Sequence, residues 1–154
     1  MPITTIVEYT SMSEINPNNL TFKQGLERID EALRKTGLTI GKEIITSRDE
    51  KVVKAQELLE TKNVPQGFKK WQLPVSMACE TQMFITVAPP SAKIPPHSHD
   101  EGPGIRFIAT GSINYRGTEL TAGDWMYIPA GMKYEYEVGR YGAIMCYCYC
   151  CCCA

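Results

Sequence analysis

Apolar residues in the first half of the chain recur with the period of a helix. In "LTFKQGLERIDEALRKTG", Phe22, Leu26, Ile29 and Leu33 stand four, three and four apart, which is one helical face. Thr21 and Gln24 have the spacing of a capping box, and Gly37 supplies a stop. "SRDEKVVKAQELLETKN" predicts a second helix, with a capping box from Ser47 and Glu50 and a face of Val52, Ala55 and Leu59. Asn63 and Pro65 are expected to close it. Their polar faces read as solvated surface.

Beyond Trp71 the period drops from helical spacing towards two. "CETQMFITVAPP", "GIRFIATG", "SINYRG", "WMYIPAG", "KYEYEVG" and "AIMCYCYC" each predict a short strand bounded by turn residues. In "KYEYEVG" and "MCYCYC" tyrosine alternates with a second residue type, so each type takes one side of the sheet. Many short strands at near-regular spacing indicate an all-β sandwich or barrel. The division expected is a helical segment over 1–70 packed on a barrel over 71–150, with a cysteine-rich tail over 151–154.

Composition narrows the reading little. The chain has 154 residues, enough for a core without staples, and a net charge of -1. No basic tract suggests nucleic acid, and no apolar run approaches a membrane span. The N-terminus lacks the pattern of a secretory signal, so a cytoplasmic location with mostly reduced thiols is expected. Six of the seven cysteines lie between Met145 and Ala154.

The only two histidines are His97 and His99, in "IPPHSHDEG". Imidazoles at i and i+2 on a strand share one side, and neutral imidazole is a common ligand for transition metals. The stretch resembles the first signature of the cupin superfamily, G-x5-H-x-H-x3-4-E-x6-G: His97, His99 and Gly111 match, and Ser91 stands at the leading glycine. "GDWMYIPAGMKYEYEV" resembles the second signature, G-x5-P-x-G-x2-H-x3-N, through Gly123, Pro129 and Gly131. The resemblance covers roughly Met77 to Cys150. It implies a mainly β fold, a jelly-roll barrel with its metal inside, preceded here by the helical segment. It also implies a homodimer.

Two of the family's usual ligand slots are changed. The glutamate falls on Gly104 and the histidine on Tyr134. Either the metal site is lost, leaving a barrel for organic ligands, or the ligand set has changed. The second alternative is the expectation. His97 and His99 would hold one divalent transition metal (iron, zinc or copper), completed by Glu101, Cys146 or Cys148. Tyr134 would coordinate, orient a ligand or fill space.

Counting by twos from the Gly104 slot, Arg106 should point inward. A buried guanidinium needs an acidic partner, Glu135 or Glu137, or an anionic ligand. Tyr115, Trp125 and Tyr127 are expected in the core. The expected function is a metal-dependent enzyme of oxygenase, lyase or isomerase type. Its substrate would be a small organic anion, with Arg106, Tyr134 and Glu101 as acting groups. The alternative is a non-enzymatic metal- or metabolite-binding protein. In that reading Cys150 to Cys153 are a soft-metal or redox-responsive tail.

Overall fold

The computed structural model describes residues 21–61, 66, 69–77 and 81–150. Asn63, Pro65, Cys79 and the tail over 151–154 lie outside the described residues. The elements in order are α1 (Phe22–Thr36), β1 (Ile45–Thr46), α2 (Glu50–Leu58), β2 (Gln82–Ala88), β3 (Lys93–His97), β4 (Gly104–Tyr115), β5 (Thr118–Thr121), β6 (Trp125–Ile128) and β7 (Tyr134–Tyr149). No described helix is long and apolar enough to cross a membrane.

Helix α1 starts on the predicted capping box and ends at Gly37, which takes the left-handed conformation with φ 63°. Its buried face is Ile29 and Ala32, with Leu26 and Leu33 beside them, packed on Leu59. Phe22 is not part of that face and is 85% exposed. It stands in the first turn, outside the contact that α2 offers.

Helix α2 buries Val52, Ala55 and Leu59 completely, as the spacing predicted. Val52 and Leu59 each contribute roughly 1.5–3 kcal/mol on the transfer scale. The capping box predicted from Ser47 and Glu50 does not form. Asp49 is the N-cap residue and makes no side-chain cap bond. Its carboxylate instead accepts from the Thr46 amide and hydroxyl. The Ser47 hydroxyl donates to Asp124 and accepts from the Trp125 amide, so a tertiary bond displaces the local cap.

All named strand pairs are antiparallel, in the order β1-β6-β4-β7-β2, with β3 on β7 and β5 on β4. The sequence suggested two strands over "GIRFIATG" and "SINYRG", and two more over "KYEYEVG" and "AIMCYCYC". Each pair is one long strand, of 12 residues in β4 and 16 in β7. Register shifts between Ile108 and Thr110, and between Gly111 and Ile113, break β4 into two halves. Gly111 makes the turn of direction possible. Its φ is 71°, and a Cβ there would lie 2.0 Å from the Gly142 carbonyl oxygen.

The halves go to different leaves. The first half of β4 and the second half of β7 join β6, β1 and β2. The second half of β4 and the first half of β7 join β5 and β3. The leaves face each other across one core that includes Ile108, Ile113, Leu120, Met126, Val138 and Met145. The result is mainly β with a helical segment on the N-terminal side. A second cluster fixes that segment to the outside of the sheet, where Val52 and Ile45 pack on Trp125 and Tyr127. Tyr115, Trp125 and Tyr127 are buried core residues, as predicted.

Candidate functional site

One end of the barrel gathers the chemistry. Strand β3 ends there at His97, β7 begins beside it at Tyr134, and β4 begins at Gly104 opposite Tyr149. His99 lies in the loop after β3, so only His97 of the two is a strand residue. The loop is tied by the Gly131 amide, which donates to the His99 carbonyl at 2.8 Å.

The histidine rings are half-buried, with centroids 5.2 Å apart and nearly perpendicular planes. His97 Nδ1 lies 2.9 Å from the Pro95 carbonyl oxygen. That contact selects the tautomer with the proton on Nδ1 and leaves Nε2 with its lone pair. His97 also packs on Tyr134, with centroids 4.4 Å apart. His99 is edged by Tyr149 at 4.8 Å and Tyr147 at 5.8 Å. Burial, then the neighbouring His97 and Arg106, hold the His99 pKa below its ordinary value, so the ring is neutral at pH 7.

Beneath the histidines lies Arg106, which is 5% exposed. Its guanidinium stacks on Tyr147 with 4.4 Å to the ring centroid, and on Tyr136 with 5.2 Å. Nη2 donates to the Tyr134 hydroxyl at 3.2 Å, and Nη1 approaches the Met145 sulfur at 3.8 Å. Tyr134 Oη in turn lies 3.4 Å from His99 Nε2. Neither acidic partner expected for Arg106 is there. Glu135 and Glu137 alternate with the tyrosines, point to the opposite side of β7 and are exposed. Among the described residues Arg106 forms no salt bridge.

Among the described residues, four buried side-chain polar atoms have no hydrogen-bond partner: Arg106 Nε, Tyr147 Oη, Tyr115 Oη and Trp125 Nε1. The first two belong to one stacked pair, which concentrates unused donors at a single place. Burial, then the nearby Tyr134, push the Tyr147 hydroxyl far above the usual phenol range, so it keeps its proton and remains a donor.

Tyr147 also accounts for Gly104. A Cβ on Gly104 would lie 2.6 Å from Tyr147 Oη and 2.7–2.8 Å from its ring carbons. The ring therefore occupies the space over the slot where the resemblance places a glutamate. Gly104 and Tyr147 form a matched pair, and a larger residue at 104 would expel the ring.

Cys146 and Cys148 are not brought to the histidines. Cys146 pairs across the sheet with Ile85 and Phe107, and Cys148 with Met83 and Ile105. Directly paired residues share a face, and Met83, Ile85 and Phe107 are on the outside. Tyr147 and Tyr149 take the inward positions between and beyond the cysteines. Cys146 and Cys148 are free thiols. Cys150 is disulfide-bonded. Its amide donates to the Pro103 carbonyl beside the histidine loop. Glu101 is exposed.

Among the described residues no three His, Cys, Asp or Glu side chains converge as metal ligands. The donors that do meet are two imidazoles and a phenol, and that phenol accepts from a buried guanidinium. A fixed cation hydrogen-bonded to a would-be ligand opposes a second cation. The described residues thus fit a divalent metal poorly. Tyr136, Tyr147 and Tyr149 are the site residues that the sequence reading missed. Their signal was the parity of "YEYEV" and "YCY", which puts every tyrosine on one side.

No family model matches the chain, and no curated protein matches it. Several solved structures are similar. They include an RmlC-like cupin from Shewanella frigidimarina, at 20% identity over 46% of this chain and 65% of that chain, with TM-score 0.40. KdgF from Halomonas sp. has 15% identity over 50% and 74%, with TM-score 0.42. A protein with a double-stranded β-helix domain from Klebsiella pneumoniae has 22% identity over 49% and 67%, with TM-score 0.42. The likeness is to the cupin fold. It spans about half of this chain and just under two thirds of the Shewanella protein.

Proposed function

We propose that the barrel is a receptor for a small organic anion, held by Arg106. The observation that carries this is a guanidinium that is 5% exposed and, among the described residues, forms no salt bridge and keeps Nε without a partner. Taking an unpaired charge out of water is expensive, and cation–π contact with two tyrosines offsets only part of the cost. A carboxylate entering past His97 and His99 would supply the missing charge. Arg106 Nε and the Tyr147 hydroxyl would donate to it, and neutral His99 would not repel it. The tyrosine rings make the rest of the wall, which suits a compact ligand with an apolar or planar body.

Calorimetric titration with formate, acetate, oxalate, succinate and citrate tests this, with inorganic phosphate as the comparison anion. At least one carboxylate should bind wild type and raise its melting temperature with concentration. Arg106→Met should lose that response while staying folded. A wild-type protein indifferent to every one of these anions would contradict the reading.

A second reading keeps His97 and His99 as ligands of one divalent transition metal in an enzyme acting on the anion. It is favoured by the contact between His97 Nδ1 and the Pro95 carbonyl, which leaves Nε2 to coordinate. Metal analysis separates the two readings. Stoichiometric iron, zinc or copper in purified wild type, lost in a His97→Ala, His99→Ala double variant, would favour the enzyme.

A further inference from the structure

The second half of β7 turns one residue type to each side. Tyr147 and Tyr149 face the site, and Cys146 and Cys148 face out. The outward thiols take no part in the anion reading, and both are free and half-buried. Their strand is hydrogen-bonded on both sides, to β2 and to β4, so the ladder fixes their backbone spacing. Two residues of strand rise place the Cα atoms about 6.4–6.8 Å apart, at the top of the range a disulfide tolerates. The pair is therefore poorly placed to oxidise to each other and stays available as a dithiol.

A third sulfur stands beside them. Met83 on β2 is the direct partner of Cys148, and the Cβ atoms of such a pair lie about 4.5–5.5 Å apart. The Met83 side chain is 70% exposed, so it can swing over β7 without unpacking the core. The other direct partners of the two thiols are Ile85, Ile105 and Phe107. None of these positions carries a carboxylate, an imidazole or an ammonium group, in a chain that is 21% charged. The donors on this patch are sulfur alone.

We propose that Cys146, Cys148 and Met83 form a site for Cu(I) on the outer face of the barrel. Thiolate and thioether sulfur select soft cations, and Cu(I) is satisfied by two or three such donors. Cysteine rotamers on a strand lean along the strand direction. Leaning towards each other, the two thiols can close to about 4.6 Å, the span of a metal bound to both at about 2.3 Å. Structural zinc takes four ligands, and this patch offers two thiolates and a thioether. Calcium and magnesium take oxygen, and the patch has no oxygen side chain to give. Binding removes one proton from each thiol and leaves copper as Cu(I), so no oxidant or reductant is required. The site uses neither histidine and lies across the sheet from Arg106, so it stands whether or not the barrel takes an anion.

Anaerobic titration with Cu(I) against a chromogenic Cu(I) chelator tests this. The full chain is used, carrying C79S, C150S, C151S, C152S and C153S, so that Cys146 and Cys148 are its only thiols. One Cu(I) per chain should leave the chelator, and a thiolate-to-copper absorption band should appear. Adding Cys148→Ser should weaken binding by at least about 100-fold, beyond the cost of an outer-shell change. Adding Met83→Leu should weaken it by roughly 10-fold. Wild type gives a reading that does not depend on the serine background folding. It should take up one more Cu(I) per chain than its Cys146→Ser, Cys148→Ser variant. No uptake by the folded serine background, or equal uptake by wild type and that double variant, overturns the proposal. Unchanged affinity after either Cys148→Ser or Met83→Leu overturns the three-sulfur site as well.

Discussion

Arg48 and Arg106 are the two arginines that organise this molecule, and they are placed in opposite ways. Arg48 is half-exposed and grips Asp124 through Nε and Nη2 at 2.8–2.9 Å. Asp124 also accepts from the Ser47 hydroxyl and the Thr121 amide. That network joins the segment before α2 to the β5–β6 turn and leaves no acceptor unused. Among the described residues, buried Arg106 has tyrosine rings, the Tyr134 hydroxyl and the Met145 sulfur around it in place of a carboxylate, and keeps a donor idle. An arginine closed by a carboxylate holds a fold together. An arginine closed by aromatic faces is left with charge to offer a ligand.

The largest expected effect comes from removing the second arginine. Arg106→Met should weaken carboxylate binding by at least about 30-fold, the lower end for losing a buried charge partner. It should leave stability unchanged or raise it by up to about 1–4 kcal/mol, because an apolar side chain replaces a buried ion. Urea denaturation beside the binding titration checks both. A loss of stability as large as that from a broken ion pair would make Arg106 scaffold and erase the contrast with Arg48.

Asp124→Asn should do the reverse, costing about 1–3 kcal/mol of stability with carboxylate affinity unchanged. The pH dependence follows from its shifted pKa. Burial raises it, but bonds from Arg48, Thr121 and Ser47 outweigh burial and hold it below the usual carboxylate range. Its contribution is therefore complete above about pH 4, the unfolded value, and is lost as pH falls through the lower folded value. The gap between wild type and Asp124→Asn in urea midpoint should narrow in that window. A constant gap down to pH 2 would mean that the charge of Asp124 carries none of the effect.

Gly104→Ala should cost about 1–3 kcal/mol by overpacking against Tyr147, and should weaken carboxylate binding as the ring moves. Adding Tyr147→Ala should recover part of the stability but not the binding. The smallest effect is expected from Glu137→Gln, within about 0.5 kcal/mol and with no change in binding. Its carboxylate faces outward near Lys93 at 4.0 Å. A marked loss of binding there would mean that Arg106 has an acidic partner after all.

Much of the fold was legible from periodicity. The face of α2 and the cap and stop of α1 follow from spacing alone, because those interactions span three or four residues. The inward turn of Arg106 follows from the period of a strand. What failed did so where distant residues compete. Ser47 has the spacing of a cap, yet Asp124, 77 residues away, takes its hydroxyl. Phe22 has the phase of its helix face, yet its partner helix does not reach it. Cys146 and Cys148 alternate correctly, but alternation fixes only that they oppose Tyr147, not which side is inside.

The sequence by itself therefore determined the element types, the two-sided strands and the two histidines close together at one mouth. The resemblance to the cupin signatures adds that glycine and tyrosine, Gly104 and Tyr134, stand at that family's glutamate and histidine slots. The tertiary structure alone decided which side of β7 faces the core. That choice depends on the register of β7 against its neighbours, where one residue of slip exchanges Tyr147 and Tyr149 for cysteines and Tyr134 and Tyr136 for glutamates. With the tyrosines inside, the cation beneath the histidines is a guanidinium, and the thiols of Cys146 and Cys148 belong to the outer face of the sheet.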